Sequence, residues 1–433
     1  MKPRLGIYIH IPFCASKCGY CDFYSMQGCD YLMPDYQDAL IAHIEESAPS
    51  IKNYQVDSIY FGGGTPSFYG ADRLVEILDV LKLNGNVRLD SEITVECNPD
   101  SMSLTALKFL RQMGVNRLSI GFQATDNDLL KIIGRRHNYQ QAVAAYNTAR
   151  KAGFDNISID LMYGLPSQTK TDWADTLSEI VALHPEHISC YALKLEPGTP
   201  MYKDYNGSAI LPDDDAQADM YSYAAEMLER YGYRQYEISN FCAPGYESRH
   251  NLKYWNMDDY MGFGPGAHSC IGNLRYSFVR DLKDYIYRVG KDTSIVDEYE
   301  RIDPIERATE YVMLAMRTSN GISEKDYRER CQCDWRPIHA VLKAFKEKGW
   351  AELTGDRWHF TVPGFLISNT LIGIMLETQT NGRIEGSPWI QEADKAADKI
   401  ILPQGEEERF AEVYTQPRTE GILDYNSGTR VSE

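Results

Sequence analysis

Six strand-like segments alternate with helical ones over the first half of the chain, and this alternation restricts the fold more than any other feature. The strand candidates are GIYIHIPF from Gly6, DSIYFGGG from Asp57, EITVECNP from Glu92, RLSIGFQ from Arg117, NISIDLMYG from Asn156 and HISCYALKL from His187. Helical patterns such as ADRLVEILDVLK from Ala71 and LTALKFLRQMG from Leu104 lie between them, each ending near glycine or a polar turn. Strands joined by helical crossovers run parallel, and the crossovers are right-handed. The acid-capped amphipathic segment DDDAQADMYSYAAEMLERYGY from Asp213 closes the region. Residues 1–235 are therefore predicted to form an α/β unit: a partial (β/α)6, TIM-like barrel or an open doubly wound sheet, between which periodicity does not choose.

The rest of the chain divides into three. Residues 236–300 are rich in Gly, Asn, Tyr and Phe and read as irregular, site-lining structure. Residues 301–376 read as helix, helix, β-hairpin and final helix, a winged-helix-like order. This unit lacks a basic recognition stripe, which favours a packing or lid role over nucleic-acid binding. Residues 377–433 carry 12 acidic against 6 basic side chains without a sustained period, and read as a disordered tail. A formal net charge of −18 also argues against a phosphate-backbone partner. No apolar run approaches the ~18 residues that a membrane span needs. The opening MKPRLGIYIHIPFC alternates like a strand and lacks a small-residue cleavage site, so it is not read as a signal peptide. The expected compartment is the cytoplasm.

Cys14, Cys18 and Cys21 fall within eight residues just after the first strand. Thiols so closely spaced suit metal ligation better than a disulfide framework in a reducing compartment. Three thiolates can hold three corners of an iron–sulfur cubane and leave the fourth iron open. Structural zinc is the competing reading, with Cys29 as its fourth ligand. Cys97, Cys190, Cys242, Cys270, Cys331 and Cys333 read as small buried residues. Polar groups then recur at the C-terminal ends of the later strand candidates, where a parallel barrel places its site. They are Gly62-Gly63-Gly64-Thr65-Pro66, Glu96, Gln123 with Arg135 beyond it, and Asp160. Glycines there would let backbone N–H groups approach a charged ligand.

The run YIHIPFCASKCGYCDF, with C-x3-C-x2-C after the first strand, resembles the signature of radical S-adenosylmethionine (SAM) enzymes. The resemblance implies a [4Fe–4S] cluster on Cys14, Cys18 and Cys21, with SAM chelating the open iron. Electron transfer from such a cluster cleaves a C–S bond of SAM to give a 5′-deoxyadenosyl radical. It further implies SAM contacts at Tyr20, Gly63, Gly64, Thr65, Glu96, Gln123, Arg135 and Asp160, with Tyr8 as a further ligand contact.

Within that superfamily, HIPFC, GGGTP, ECNPD, SIGFQ, DLMYGLP, EPGTP, YEISNF, HNLKYW and GFGPGAHS resemble the branch of oxygen-independent coproporphyrinogen III dehydrogenases and HemW-type haem chaperones. The dehydrogenases carry a further cysteine where this chain has Phe23, and the chaperones carry HNxxYW, here His250-Asn251-Leu252-Lys253-Tyr254-Trp255. The resemblance implies haem binding at His250, Asn251, Tyr254 and Trp255, an imidazole being a natural haem ligand and aromatic rings a flat apolar wall. His268 is a second candidate imidazole. Haem-receiving respiratory enzymes, a flavodoxin- or ferredoxin-like electron donor and a cluster-promoted homodimer are implied partners. A porphyrinogen dehydrogenase, or another SAM-radical enzyme acting on a tetrapyrrole, is the alternative; a zinc or regulatory protein on the same scaffold is a third. Whether the chain is an enzyme is left open.

Overall fold

The computed structural model describes residues 2–291 and 293–379. Six strands run side by side and parallel in chain order: β1 (Arg4–Ile11), β2 (Gln55–Gly63), β3 (Val87–Cys97), β4 (Arg117–Gln123), β5 (Ile157–Tyr163) and β6 (His187–Ala192). This order settles what periodicity left open. A doubly wound sheet reverses its strand order at a switch point, whereas strictly sequential right-handed crossovers put every helix on one face and curl the sheet. The unit is a partial (β/α)6 barrel.

Alternation along each strand explains its two faces. Ile7, Ile9 and Ile11 of β1, Ile59 and Phe61 of β2, and Leu118, Ile120 and Phe122 of β4 are all fully buried in the main apolar core. The intervening residues, Tyr60 of β2, Glu96 of β3, Arg117 and Ser119 of β4 and Asp160 of β5, line an internal cavity. A polar inner face therefore follows directly from strands whose odd and even positions differ in kind. The crossover helices begin at conventional signals. Asn138 with Gln141, and Thr169 with Asp172, form capping boxes, and the Asp213 carboxylate accepts from the Ala216 N–H.

The sheet then extends at both ends. Beyond β6 lie β7 (Arg234–Glu237) and β8 (Asn240–Cys242), with β8 antiparallel to β6. On the other side β1 pairs in parallel with β9 (Tyr260–Phe263), followed by antiparallel β10 (His268–Ile271), β11 (Leu274–Phe278) and β12 (Val296–Arg301). Residues 236–300 are thus not irregular, as their composition suggested. Strands of four or five residues are too short for alternation to stand out among glycines and aromatic rings. HNLKYW likewise lies in a helix, Arg249–Asn256, capped by Ser248 and pinned where the Glu92 carboxylate accepts from the Arg249 and His250 N–H groups at 3.0 and 2.9 Å.

The C-terminal unit carries helices Pro304–Ala315, Glu324–Cys331, Trp335–Glu347 and Ser368–Gln379 around a small antiparallel sheet. Its strands are β13 (Ile322–Ser323), β14 (Ala351–Thr354) and β15 (Arg357–Phe360), in the order β13–β15–β14. The last helix passes the predicted boundary at Leu376 and reaches Gln379. The remainder of the tail expected to be disordered, 380–433, lies outside the described residues. Among the described residues no helix is long and apolar enough to cross a membrane.

Candidate functional site

The three clustered cysteines sit on a loop that leaves β1 and is tied off at its base. Cys14 N–H donates to the Met26 carbonyl at 2.8 Å and Met26 N–H donates to the Pro12 carbonyl at 2.7 Å. The far side of the loop is anchored to the barrel rim, Gly19 N–H donating to the Ile133 carbonyl and Met201 N–H donating to that of Gly19. Cys21 N–H turns back onto the Cys18 carbonyl. Loop geometry is therefore held by backbone bonds, and the thiols face inward without needing each other for support.

All three thiols line a cavity of about 500 Å³ at the C-terminal mouth of the barrel. Tyr20, Gly63, Gly64, Thr65, Glu96, Gln123, Arg135 and Asp160 line the same cavity, as does Asn251. Arg135 reaches it with one guanidinium nitrogen 3.6 Å from the Cys18 sulfur and another donating to Asn98 Oδ1 (2.8 Å) and the Gly121 carbonyl (2.7 Å). The Thr65 hydroxyl approaches the Cys14 sulfur at 3.4 Å and accepts from the Asn98 amide at 3.1 Å. Arg135 Nε and Arg117 Nε are buried without a hydrogen-bond partner, and both residues line this cavity.

Two carboxylates stand deeper. Glu96 accepts from the Tyr60 hydroxyl at 2.8 Å and from Gly63 N–H at 3.2 Å. Burial, with the nearby Asp160 adding to it, pushes its carboxyl up to about 7 against the relief those donors give. Asp160 accepts from the hydroxyls of Ser119, Ser158 and Ser189, and burial raises its pKa as well. Gln123 ends β4 at φ 69°, a left-handed conformation uncommon for a residue with a side chain.

The glycine run serves a different purpose from the one its sequence suggested. Gly64 N–H and Thr65 N–H donate to the Ile11 and Phe13 carbonyls, so neither is free for a ligand, and Gly63 N–H serves Glu96. A Cβ at Gly64 would lie 2.7 Å from the Phe13 carbonyl oxygen, and one at Gly63 would lie 2.6 Å from the His10 ring. The glycines let the ends of β1 and β2 close together, which sets the cysteine loop against the barrel.

Other residues singled out by sequence lie apart from this cavity. Tyr8 and His250 line an adjoining cavity of about 200 Å³ with Phe23, Asn251 and Tyr254. His250 is fully engaged: Nδ1 pairs with the Ser58 hydroxyl and Nε2 with the Tyr254 hydroxyl, each at 2.9 Å, and its ring stacks on Tyr60. Burial pushes its pKa down to about 3. Trp255 lines none of these cavities. Cys29 also stays outside, its thiol turned to the Gln27 carbonyl. His268 is exposed, on the wall of a separate cavity on the β9–β11 side.

Sequence reading missed Asn98, Arg117, Ser119 and Ser189. Register was the signal: Glu96 pairs with Ser119, and Asp160 pairs with Ser189, across neighbouring strands. Arg117, only 1% exposed, looks from sequence like an ordinary strand-edge cation.

Three thiols at the C-terminal mouth of a sequentially wound partial barrel define a protein of radical SAM type, and the radical SAM superfamily pattern matches residues 8–180. The HemN C-terminal domain matches residues 302–367. The haem chaperone HemW of Bacillus subtilis is 36% identical over 375 residues, spanning 85% of this chain and 98% of that protein. The HemW of Haemophilus influenzae is 32% identical over 386 residues, spanning 86% and 98%. This chain therefore belongs to the HemW haem-chaperone family of the radical SAM superfamily. Its fold is shared with a solved structure, the coproporphyrinogen III oxidase HemN of Escherichia coli, described as a radical SAM enzyme. That likeness has a TM-score of 0.74 at 23% identity over 86% of this chain and 90% of the other.

Proposed function

We propose that this chain holds a [4Fe–4S] cluster on Cys14, Cys18 and Cys21 with SAM beside it, binds haem, and delivers haem from the cytoplasm to respiratory haem proteins. The observation that carries the first part is the convergence on one cavity of three thiols with Glu96, Gln123, Arg135 and Asp160. The donor set fits: three sulfurs for a cluster, carboxylates for ammonium and hydroxyl groups, and a guanidinium for a carboxylate. When bound, the cluster and SAM supply one-electron cleavage chemistry at a C–S bond.

The chain's own residues have definable tasks. The tied loop presents the thiols, and Arg135 sets positive charge beside Cys18. Glu96, whose carboxyl burial pushes up to about 7, can accept from or donate to a ligand according to its protonation. Asp160 is fixed by three hydroxyls and keeps one orientation. Tyr20, Gly63, Gly64 and Thr65 complete the walls.

His250 does not fit as a haem ligand in this arrangement, because both ring nitrogens are engaged inside the protein. Its role here is to fix Tyr254. Phe23, 71% exposed, stands at the junction of the three cavities and supplies apolar surface where the dehydrogenases have a thiol, which favours the chaperone over the enzyme. A flavodoxin- or ferredoxin-like donor and a homodimer complete the proposal. Anaerobic reconstitution tests it: the protein is expected to retain haem and leave coproporphyrinogen III unconverted. Conversion without haem retention would establish the dehydrogenase instead.

A further inference from the structure

His250 does not fit as an iron ligand, but a second aromatic-lined cavity lies outside the thiol cavity. A cavity of about 490 Å³ lies between β1 and the β9–β11 extension, more than twice the volume beside His250 and within the ~300–1,000 Å³ range of small-molecule sites. Tyr24, Phe23, Tyr254, Tyr260 and Phe278 line it. His268 reaches this cavity from the start of β10. Among the described residues its imidazole has no hydrogen-bond partner, in contrast to His250 and to His10, whose nitrogens meet the Tyr8 hydroxyl and the Tyr24 carbonyl. Arg280 stands at the same wall with its guanidinium 5.3 Å from the Tyr24 ring centre and no carboxylate partner among the described residues.

We propose that this second cavity is the seat of the flat, carboxylate-bearing macrocycle, with His268 as the iron ligand and Arg280 as the carboxylate anchor. The proposal rests on the haem-binding reading above. A free neutral imidazole offers an unshared nitrogen lone pair to iron without first breaking a protein hydrogen bond. A guanidinium held over a tyrosine ring keeps its donors available to a carboxylate, and the aromatic walls accept a planar ring system. Asp22, Asp297 and Glu298 also line the cavity, which leaves the Arg280 guanidinium as the cationic group on its wall to meet a carboxylate. Phe23 and Tyr254 belong to this cavity as well as to the smaller one, so the seat adjoins the His250 helix without using His250 as a ligand.

The test titrates haemin, and haemin dimethyl ester, into the holoprotein and into His268→Ala, Arg280→Gln, Arg280→Lys and His250→Ala variants, with electron paramagnetic resonance reading the ferric spin state. His268→Ala is expected to change the ligation signal and weaken haemin binding at least ~10-fold. Arg280→Gln is expected to weaken haemin ~10-fold and leave the diester unchanged, with partial rescue by Arg280→Lys, the size of a lost charge-assisted bond. Both side chains are exposed, so neither substitution removes core packing. Haemin binding by His268→Ala or Arg280→Gln that matches the parent overturns the assignment, most clearly if only His250→Ala changes the ligation signal; the haem-binding reading would then survive. Failure of the parent itself to bind haemin overturns both together.

Discussion

The two large cavities have nearly the same volume, about 500 and 490 Å³, yet they are built in opposite ways. The thiol cavity is assembled from the ends of parallel strands in chain order, with buried carboxylates, guanidinium groups and close glycine contacts. The β9–β11 cavity is walled by rings and by side chains at the protein surface, among them His268 and Arg280. One carries Glu96, Arg117, Arg135 and Asp160 on its walls; the other is lined by rings together with the exposed His268 and Arg280. The comparison teaches that adjacent cavities in one sheet can be built differently: one walled by side chains from successive strand ends, the other by aromatic rings and exposed side chains.

Five substitutions break or sharpen that contrast. The largest effect is expected from Cys18→Ser, which removes one of three thiols and should abolish cluster assembly while leaving haemin binding in the other cavity. Iron and sulfide analysis checks it, and an unaffected iron content refutes the ligand assignment. Next, Gly64→Ala places a Cβ 2.7 Å from the Phe13 carbonyl oxygen and should cost about 3 kcal/mol in denaturant unfolding. The corresponding change in the second cavity, Gly266→Ala, meets only the Arg280 side chain at 3.5 Å and should cost about 1 kcal/mol for its positive φ. Equal costs would mean that the two cavities are equally constrained.

His250→Ala leaves the Ser58 and Tyr254 hydroxyls without their buried partner and should cost about 2 kcal/mol of stability. Its haemin affinity should fall less than that of His268→Ala; the reverse order would restore His250 as the ligand. The smallest effect concerns Glu96. Its folded pKa of about 7 exceeds the ordinary 4.5, so between those values the folded state holds a proton that the unfolded state has released. Stability therefore falls as pH rises through that window. Glu96→Gln should remove this fall, giving a cofactor-free protein roughly 2–4 °C more resistant to heat than the parent at pH 8 and indistinguishable from it near pH 4.5. A melting difference independent of pH would place the proton elsewhere.

Legibility of the two sites differed for a physical reason. Cys14, Cys18 and Cys21 were readable as one group because they lie close in sequence, and a short loop brings all three to one cavity. Glu96, Gln123 and Asp160 were readable because parallel strands deliver successive C-terminal ends to one mouth, so order along the chain becomes order around the cavity. His250 was readable as important, but its hydrogen bonds were not, since Ser58 lies 192 residues away. The glycine run was read as a ligand cradle, yet its N–H groups serve Ile11, Phe13 and Glu96, partners that only the β1–β2 register brings near.

The sequence by itself determined the parallel α/β unit, the thiol triplet and the ordered polar residues at the strand ends, because each is written in local spacing and period. The tertiary structure alone decided three things: the sequential winding that makes a barrel, the engagement of both His250 nitrogens, and the aromatic cavity that joins Phe23 and Tyr24 to His268 and Arg280. Those depend on pairing between segments far apart in the chain, above all β1 with β9, and no short-range pattern encodes which distant strand a given edge will accept.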